Sequence, residues 1–326
     1  YYASRGLGDV YKRQDLNPLS LLLSPLGLLY NLGTRLNMSL HKPKKAAVPI
    51  VCIGNLTAGG TGKTPTAVSI AKLMQQAKRK PFFVSRGYGG NLHNVLVDPQ
   101  HHTPQQVGDE PLLLARQAPT VVNPDRFAAA QTAAAAGAEM VIMDDGFQNP
   151  GLHKDLSFLV FDGGFGYGNG LCIPAGPLRE SLPAGMKRAD AVLIIGEDRH
   201  RLAEQIALPV FRGRIVPVRP NFSERRVIAF AGIGRPEKFY QSLRELNFEL
   251  VETVNFPDHH FYTDTELDQL IDKAEKNSCT LITTAKDLVK IPSRRRSFFK
   301  VLEIEVRWED EDALAGFILH LSLIHI

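Results

Sequence analysis

The sequence predicts an α/β fold, a doubly wound and mainly parallel sheet followed by a second, smaller α/β domain. Three observations support this prediction. Short apolar runs that suit buried strands alternate with segments whose apolar residues recur at helical spacing. A glycine-rich turn, Asn55 to Pro65, joins the first such strand to the first such helix. A polar stretch with prolines at 214–225 interrupts the alternation, which then resumes.

Length, charge and cysteine content limit the class of protein. The chain has 326 residues, enough for two ordinary domains or one large one, and its composition is that of a soluble globular protein. The net charge of +4 is too weak to indicate a nucleic-acid partner, and no protein partner is evident. Three widely spaced cysteines predict reduced thiols in a cytosolic compartment, and neither a disulfide framework nor a zinc site.

Both ends of the chain are predicted to be non-native. A DNA sequence that could encode part of residues 1–14 is the reverse complement of one that could encode residues 321–326. Such ends resemble translated sequencing adapters on either side of a metagenomic fragment. We therefore leave both tails out of the fold prediction. Between them we expect an N-terminal segment at 15–45, a larger α/β domain at 46–220 and a smaller one at 221–320.

The N-terminal segment, Leu16 to Leu40, is rich in leucine. Its apolar part, Leu19 to Leu32, is too short to span a membrane, and basic residues follow it. Two interpretations are open. An apolar helix with a basic flank is typical of a segment that lies in a membrane interface. The same pattern also suits a helix that packs on the protein's own core. The basic residues of the flank are Arg35, His41, Lys42, Lys44 and Lys45.

The glycine-rich turn has the context that a phosphate-binding loop requires. An apolar run, Val48 to Ile53, precedes it, and apolar residues recur at helical spacing from Ala67 to Met74. Backbone N–H groups and the helix N-terminus would hold phosphate. Lys63 would reach the terminal phosphates, and Thr64 would place its hydroxyl on Mg²⁺. Thr57 stands where the usual pattern has glycine, and a plain glycine-rich turn is the alternative. The sequence thus predicts a P-loop NTPase-like fold.

An acidic pair follows another predicted strand. The run Met140 to Met143 ends in Asp144 and Asp145, and an acid at the end of an apolar strand suits a phosphate-loop enzyme that holds a hydrated metal. Adjacent residues on an extended strand point to opposite faces. The sequence leaves open which carboxylate faces the metal.

Two arginines and a tyrosine are candidate ligands of phosphate or nucleotide. Arg86 and Tyr88 follow the strand Pro81 to Ser85, and side chains at that end of a strand in an open α/β sheet suit a ligand rim. Arg179 lies in a loop between two later strands and is a candidate ligand of phosphate or of the transition state. The alternatives are a simple turn for the first pair and a surface arginine for Arg179.

Acidic residues and histidines occur at two further loops. Asp109 and Glu110 stand where a helix begins, and taken alone they are helix-end charges. His259 and His260 lie on a loop between a strand and a helix of the second domain. Histidines in such loops face solvent more often than they act in catalysis.

The remaining elements follow from the same patterns. In the first domain we expect a loop or hairpin at Asn91–Val107, strands at Thr120–Val122, Ser157–Phe161 and Ala191–Ile195, and a helix at Asp125–Ala136. In the second we expect strands at Val227–Ala231, Leu250–Asn255, Thr280–Thr284 and Lys300–Val306, and helices at Pro236–Leu246, Thr263–Asn277 and Glu309–Leu319.

Seven short motifs occur in an order that is specific to one family. They are Gly54 to Pro65, Ser85 to Gly89, Gly108 to Pro111, Asp144 to Gln148, Pro174 to Glu180, Phe256 to His259 and Thr283 to Asp287. Together they resemble the tetraacyldisaccharide 4′-kinases, the lipid A 4′-kinases of Gram-negative bacteria. The resemblance runs from about Leu16 to Leu319.

The resemblance implies an ATP- and Mg²⁺-dependent kinase with a P-loop kinase domain. Its substrate would be the 4′-hydroxyl of a lipid-linked glucosamine disaccharide at the cytoplasmic face of the inner membrane. Asp109 would be the general base, His259 its partner, and Glu110 would assist the metal. The resemblance also implies a nucleotide site of Thr57, Ala58, Gly59, Gly60, Thr61, Gly62, Lys63, Thr64, Arg86 and Tyr88. Arg179 would line the site, and Thr64, Asp144 and Asp145 would be metal ligands.

The chain differs from the family pattern at one pair of residues, and two other functions are open. Asn149 and Pro150 stand where the family usually has His-Arg. This difference puts in doubt the contacts of that pair to substrate or to neighbouring loops, and not the nucleotide chemistry. A regulatory P-loop ATPase at the membrane is the alternative function, and it needs no base for a sugar hydroxyl. A nucleotide-sensing module would bind ATP without turnover.

Overall fold

The computed structural model describes residues 16–324, and of residues 321–324 only the helical backbone. The tail predicted at 1–14 lies outside these residues, and so do the side chains of the tail predicted at 321–326.

A nine-stranded sheet forms the larger part of the molecule, in the order β13-β8-β7-β6-β1-β5-β2-β4-β3. Its strands run parallel except the two at the edges, since β13 is antiparallel to β8 and β3 to β4. The strands are β1 Ile50–Gly54, β2 Pro81–Ser85, β3 Val95–Leu96, β4 Thr120–Val122, β5 Met140–Asp144, β6 Leu156–Asp162, β7 Ala191–Ile195, β8 Val210–Pro217 and β13 Ile304–Trp308.

A second sheet has four parallel strands in the order β10-β9-β11-β12. They are β9 Arg226–Ala231, β10 Glu249–Asn255, β11 Thr280–Thr284 and β12 Phe299–Leu302. The chain passes between the sheets on two segments, and these are hydrogen-bonded to each other, Val218 N to Glu303 O at 2.8 Å.

Helices connect the strands. They are α1 Pro18–Leu40, α2 Lys63–Gln76, α3 Pro104–Val107, α4 Asp109–Ala115, α5 Arg126–Ala135, α6 Leu182–Met186, α7 Leu202–Gln205, α8 Pro236–Glu245, α9 Asp264–Lys276, α10 Ala285–Leu288 and α11 Glu311–Ile324, with a 3₁₀ turn at Ser293–Phe298.

Apolar layers cover both faces of each sheet, which is why central strands such as β1, β5 and β7 are continuous apolar runs. In β1, Ile50 and Cys52 belong to the layer on one face, whereas Val51 and Ile53 belong to the layer on the other. The second sheet likewise has one layer on each face. The predicted doubly wound, mainly parallel fold is confirmed.

The C-terminal part differs from the prediction. The expected strand at Lys300–Val306 is two strands, because the chain leaves the second sheet after Leu302 and β13 joins the first. Trp308 packs in the apolar layer on one face of the nine-stranded sheet, and its indole N–H donates to Ser69 Oγ at 2.8 Å. Helix α11 packs there too, so 304–320 does not belong with the smaller sheet as the range 221–320 implied.

Two more elements differ from the prediction. β8 continues to Pro217, into the stretch 214–225 that we expected to be a boundary. This strand pairs with β7 and β13. Arg212 and Arg214 are exposed on it, and two charged residues in a short segment do not indicate a strand inside a sheet. The segment Asn91–Val107 contains β3 and the short helix α3.

Helix α1 turns most of its leucines to solvent. Only Ser20 and Gly27 are buried, and Gly27 packs so closely that a Cβ there would lie 2.8 Å from Cys172 O. Leu22 is 75% exposed and Leu28 70%. The helix therefore contacts the rest of the protein at Ser20 and Gly27, as the alternative interpretation requires in part, but its exposed leucines do not pack on the core. Within residues 16–324, no helix is long and apolar enough to cross a membrane.

We predict that Gly54→Ala and Gly316→Ala change stability in opposite directions. A Cβ at Gly54 would lie 2.3 Å from the Cβ of Phe147, so this substitution should cost about 1–3 kcal/mol of unfolding free energy. Gly316 is exposed in α11 with no atom within 4 Å of an added Cβ, so alanine should stabilise by about 0.5–1 kcal/mol. Denaturant titration of both variants tests this, and a neutral Gly54→Ala would contradict the described packing.

Candidate active site

The phosphate-binding loop follows β1 and leads into α2. The buried Asn55 organises it, because its side-chain amide donates to Thr57 O at 2.6 Å and to Thr61 Oγ1 at 3.1 Å. Gly59 and Gly62 have φ of +124° and +86°, a backbone region that favours glycine. The loop thus turns before α2 begins at Lys63.

A second segment, Pro177 to Arg179, holds the loop from the side. Ala58 N donates to Pro177 O at 2.7 Å, and Arg179 N donates to Leu56 O at 2.7 Å. Thr57 is buried and forms a β-bridge with Leu178. Such a bridge uses extended backbone that any residue adopts, so glycine is not required at this position.

The acidic pair lies beside this loop because β1 and β5 are neighbours. Their parallel register pairs Ile53 with Asp144. The Thr64 hydroxyl donates to Asp144 Oδ2 at 2.8 Å. Asp145 has φ of +51°, past the end of the strand, and it contacts the Arg179 guanidinium at 3.0 Å and Lys63 Nζ at 3.7 Å. Both carboxylates therefore lie near the phosphate loop. Side chains on opposite faces of a strand would be separated, but the strand ends at Asp144, so this does not apply to Asp145.

The residues around Asp144 fit a divalent cation. Burial, together with the charges of Glu110 and Asp145, raises the pKa of Asp144 to about 7. Its buried Oδ1 has no hydrogen-bond partner among the described residues. Between residues 16 and 324 no group of three or more His, Cys, Asp or Glu side chains forms a metal cluster. Mg²⁺ needs none, since one or two carboxylates with phosphate oxygens and waters suffice.

A carboxylate–imidazole pair bridges the two sheets. Asp109 is buried at the first position of α4, and His259 Nδ1 lies 2.9 Å from its Oδ2. Burial raises the pKa of Asp109, but the hydrogen bond from His259 and the positive charges of Lys286 and Lys290 outweigh it, so the pKa lies below the usual value. The same hydrogen bond raises the pKa of His259, against burial and the charge of Lys286.

Close backbone packing fixes Asp109. A Cβ on Gly108 would lie 2.7 Å from Tyr88 O, and one on Gly90 would lie 2.7 Å from Gln106 O. The turn after β2 thus packs directly on the start of α4, which accounts for glycine at positions 90 and 108. The strands β2, β5 and β1 are neighbours, so the turn that packs on α4 and the phosphate loop lie at the same edge of the sheet. Consistent with this position, the charge of Glu110, next to Asp109, raises the pKa of Asp144.

Among residues 16–324, no hydrogen bond or ion pair joins Arg86 or Tyr88 to the phosphate loop. Tyr88 is 74% exposed, and its ring lies edge-on to His259 with centroids 6.4 Å apart. Arg86 is exposed, and its charge lowers the pKa of Arg126. Contact of either residue with the nucleotide stays a prediction.

Two charged residues at the site had no role in the sequence prediction. Arg126 is buried, and its Nε has no hydrogen-bond partner in the described part of the chain. Burial, together with the charge of Arg86, lowers the pKa of Arg126 to about 10. The structure indicates a role for Arg126 only through the acidic residues near it. In the sequence Arg126 begins an alanine-rich helix, and that context gives no indication of a role. Lys286 Nζ lies 3.3 Å from His259 Nε2. The family motif Thr283 to Asp287 contains this lysine, but the sequence alone does not indicate its contact with His259.

Comparison with known proteins identifies the family. The sequence model of the family described as LpxK, tetraacyldisaccharide-1-P 4′-kinase, matches residues 19–322. The chain is 47% identical to the tetraacyldisaccharide 4′-kinase of Rhodospirillum centenum over 302 residues, 91% of this chain and 90% of that protein. It is 49% identical to the enzyme of that name from a Methylobacterium species over 294 residues, 87% and 88% of the two chains.

A solved structure has the same fold over nearly its whole length. The crystal structure of the "apo" form of LpxK from Aquifex aeolicus in complex with ATP matches with a TM-score of 0.73 and 28% identity, covering 93% of this chain and 99% of that one. The match includes both sheets, because it extends over nearly all of the described residues. This chain belongs to the tetraacyldisaccharide 4′-kinase family.

Proposed function

We propose that this protein uses ATP to phosphorylate the 4′-hydroxyl of the tetraacylated glucosamine disaccharide 1-phosphate in lipid A biosynthesis. The observation that carries the proposal is the Asp109–His259 pair, 2.9 Å apart, at the same site as the phosphate loop. A sugar hydroxyl is a weak nucleophile and benefits from a positioned base, whereas a regulatory ATPase needs no such pair. Family membership supports the substrate.

The phosphate loop would bind ATP through its backbone and two side chains. N–H groups at the start of α2 would meet phosphate oxygens, and the helix dipole would favour them. Lys63 and Arg179 both lie near Asp145, which would hold their charges beside the γ-phosphate. These charges would stabilise the negative charge that develops on the transferred group.

Mg²⁺ would be held by the Thr64 hydroxyl and the Asp144 carboxylate, with Glu110 and Asp145 close by. The unpartnered Oδ1 of Asp144 and the high pKa of that carboxyl both support a cation there. A bound Mg²⁺ supplies positive charge to the phosphates of the nucleotide.

Asp109 would take the proton of the 4′-hydroxyl as the oxygen attacks the γ-phosphate. It is ionised at neutral pH, because its pKa lies below the usual value. His259 would donate to the carboxylate and orient it. Because His259 comes from the smaller sheet, the base is fully positioned only when the two sheets are close together.

Helix α1 would lie in the membrane surface at the cytoplasmic face of the inner membrane and bring the enzyme to its lipid. Exposed leucines on consecutive turns form an apolar surface that water disfavours, and Arg35 and Lys42 would meet anionic headgroups. The helix also connects to the site. Asn31 Oδ1 accepts a hydrogen bond from Ser181 N at 2.9 Å, two residues after Arg179. A lipid beside α1 would thus have its sugar near the phosphate loop.

One experiment separates the kinase from the alternatives. Protein is incubated with the disaccharide lipid and ATP that carries a radioactive γ-phosphate, and label in lipid is compared with free phosphate. A kinase puts the label into the lipid. Release of free phosphate at the same rate with and without lipid would instead identify the regulatory ATPase, and binding without turnover a nucleotide sensor.

We predict that Lys63→Ala lowers kcat for lipid phosphorylation by about 10²–10³, since one charged contact to the transferred group is lost. Folding should change by at most about 1 kcal/mol, because the ion pair of Lys63 among the described residues is with Asp145, whose side chain is 36% exposed. Label transfer and thermal melting test both statements. Wild-type turnover by this variant would show that the nucleotide site is elsewhere.

We predict that Asp109→Ala and His259→Ala each lower kcat by about 10²–10⁴ and that the double variant is little worse than the worse single. The KM for ATP should barely change, because neither residue belongs to the phosphate loop. His260→Gln is the matched control. His260 contacts Glu266 at 3.0 Å and stacks on Phe256, so its loss should affect melting more than kcat. Additive losses in the double variant would contradict the pairing.

We predict that replacing Leu22 and Leu29 by serine weakens binding to anionic vesicles by about tenfold or more. Each leucine contributes about 1–2 kcal/mol on leaving water, and both are exposed, so the fold should not change. Binding should also fall in high salt, because the basic flank is screened. Leu96→Ser, an exposed leucine on β3, is the control. Vesicle binding equal to wild type in the double variant would rule out α1 as the anchor.

A further inference from the structure

A small cavity lies between the two sheets, next to the apolar contact of α4 with α10. Its volume is about 130 Å³. The residues that line it are Pro99, Leu112, Arg116, Leu288, Val289 and Arg296. The leucines and the valine form apolar walls, and both charged groups of the lining are guanidinium groups. None of the roles proposed above uses this cavity.

Arg296 lies at this cavity without a carboxylate partner in the described part of the chain. It belongs to the 3₁₀ turn Ser293–Phe298 and is partly buried. Its Nε donates to Ile291 O at 2.8 Å, and its Nη2 donates to Val289 O at 3.1 Å. A guanidinium group has five N–H donors, so most of the donors of Arg296 remain for a ligand.

The two arginines that precede Arg296 in the chain have carboxylate partners. Arg294 pairs with Asp264 at 2.9 Å, and Arg295 pairs with Asp264 at 3.0 Å and also with Asp268. Arg294 is exposed, whereas Arg296 is partly withdrawn from water. A charge that leaves water costs free energy unless an opposite charge meets it. The fold thus places at the cavity a positive charge that an anion would neutralise.

The second guanidinium group of the cavity, that of Arg116, comes from the side of the first sheet. Arg116 directly follows α4, and its Nη2 donates to Glu303 Oε1 at 2.5 Å. Glu303 lies between β12 and β13, on one of the two segments that connect the sheets. Consistent with two cations at one cavity, burial and then the charge of Arg116 lower the pKa of Arg296. An anion between the two groups would remove this repulsion.

We propose that this cavity is a binding site for a small tetrahedral oxyanion of the inorganic phosphate class, held between Arg116 and Arg296. A guanidinium group presents paired N–H donors that match two oxygens of a phosphate. The apolar walls limit access of water, which strengthens such contacts. Pockets for drug-sized ligands measure about 300–1,000 Å³, so a cavity of about 130 Å³ selects a much smaller ligand.

A phosphate in this cavity joins the two sheets. It contacts Arg116, which follows α4 of the first sheet, and Arg296, which follows α10 of the second. With Glu303 it completes a row of alternating charges across the cavity, from carboxylate to guanidinium to anion to guanidinium. A ligand that binds one arrangement of a protein better than another stabilises that arrangement. Bound phosphate therefore favours the arrangement in which α4 and α10 are in contact.

The experiment titrates inorganic phosphate into the full chain and measures the heat of binding. Mg²⁺ and a non-hydrolysable ATP analogue are present in excess, so that phosphate does not bind at the phosphate loop. Sodium chloride keeps the ionic strength constant, so that screening does not change during the titration. Melting temperatures of the same proteins are measured with and without phosphate.

Three variants identify the site. Arg296→Met removes the cation that has no carboxylate partner among residues 16–324, and Arg116→Met removes the other cation of the cavity. Arg294→Met is the matched control, because it removes the same charge from an exposed side chain two positions away. The melting temperature without phosphate shows whether each variant is folded.

We expect wild type and Arg294→Met to bind one phosphate with the same Kd. Each of the two cavity variants should raise that Kd by about tenfold or more, because one charge-assisted contact is lost. Phosphate should raise the melting temperature of wild type and of Arg294→Met, and raise it less in the cavity variants. Sulfate, which has the same shape, should compete with phosphate.

Three results would overturn the inference. The first is a wild-type protein that shows no saturable binding of phosphate while the ATP analogue is bound. The second is an unchanged Kd in a folded Arg296→Met or Arg116→Met, and if one of them does not fold the other decides. The third is an equal loss in Arg294→Met, which would indicate diffuse attraction to the basic turn. None of these measurements needs label transfer, so a protein without kinase activity would overturn the proposed function and leave this site to be decided by the titration.

Discussion

The parallel pairing of β1 with β5 is the constraint on which the nucleotide half of the site depends. It places Asp144 level with Ile53, so the acidic pair and the phosphate loop leave the sheet side by side. The cost is a buried carboxylate with one unpartnered oxygen, which a protein tolerates where a ligand completes the site. Stability is given up here for a position that favours a cation and phosphate.

The other half of the site depends on a contact between the sheets. Val289, which follows α10, packs with Leu112 of α4 and the nearby Val107 in a small buried cluster. This apolar contact holds α10 against α4, and the polar chain from Asp109 through His259 to Lys286 lies across the same two helices. Apolar packing thus positions the two helices, and the hydrogen bonds define the orientation of the Asp109 carboxylate.

Local sequence pattern predicted most elements and the nucleotide half of the site, because strand, glycine-rich turn and helix are contiguous. It did not predict the pairing of Asp109 with His259, which are 150 positions apart; the family resemblance did. Lys286 lies in one of the family motifs, but neither source predicted its contact with His259, because the two residues are distant in the sequence and meet only in the folded chain. The assignment of β13 to the second sheet was wrong for a similar reason. The sequence from Lys300 to Val306 has the pattern of one strand, and that pattern does not show which sheet each part joins.

A second contact between the sheets has a different character and suggests how the site opens. Asp162, at the end of β6, pairs with Arg235 at 3.2 Å and Lys238 at 3.3 Å, and these cations are 42% and 67% exposed. Exposed pairs of this kind contribute at most about 1 kcal/mol each. Such pairs can therefore break and re-form at little cost. The apolar cluster around Val289 is costlier to separate, so a motion between the sheets would keep α4 near α10 and would separate Asp162 from Arg235 and Lys238.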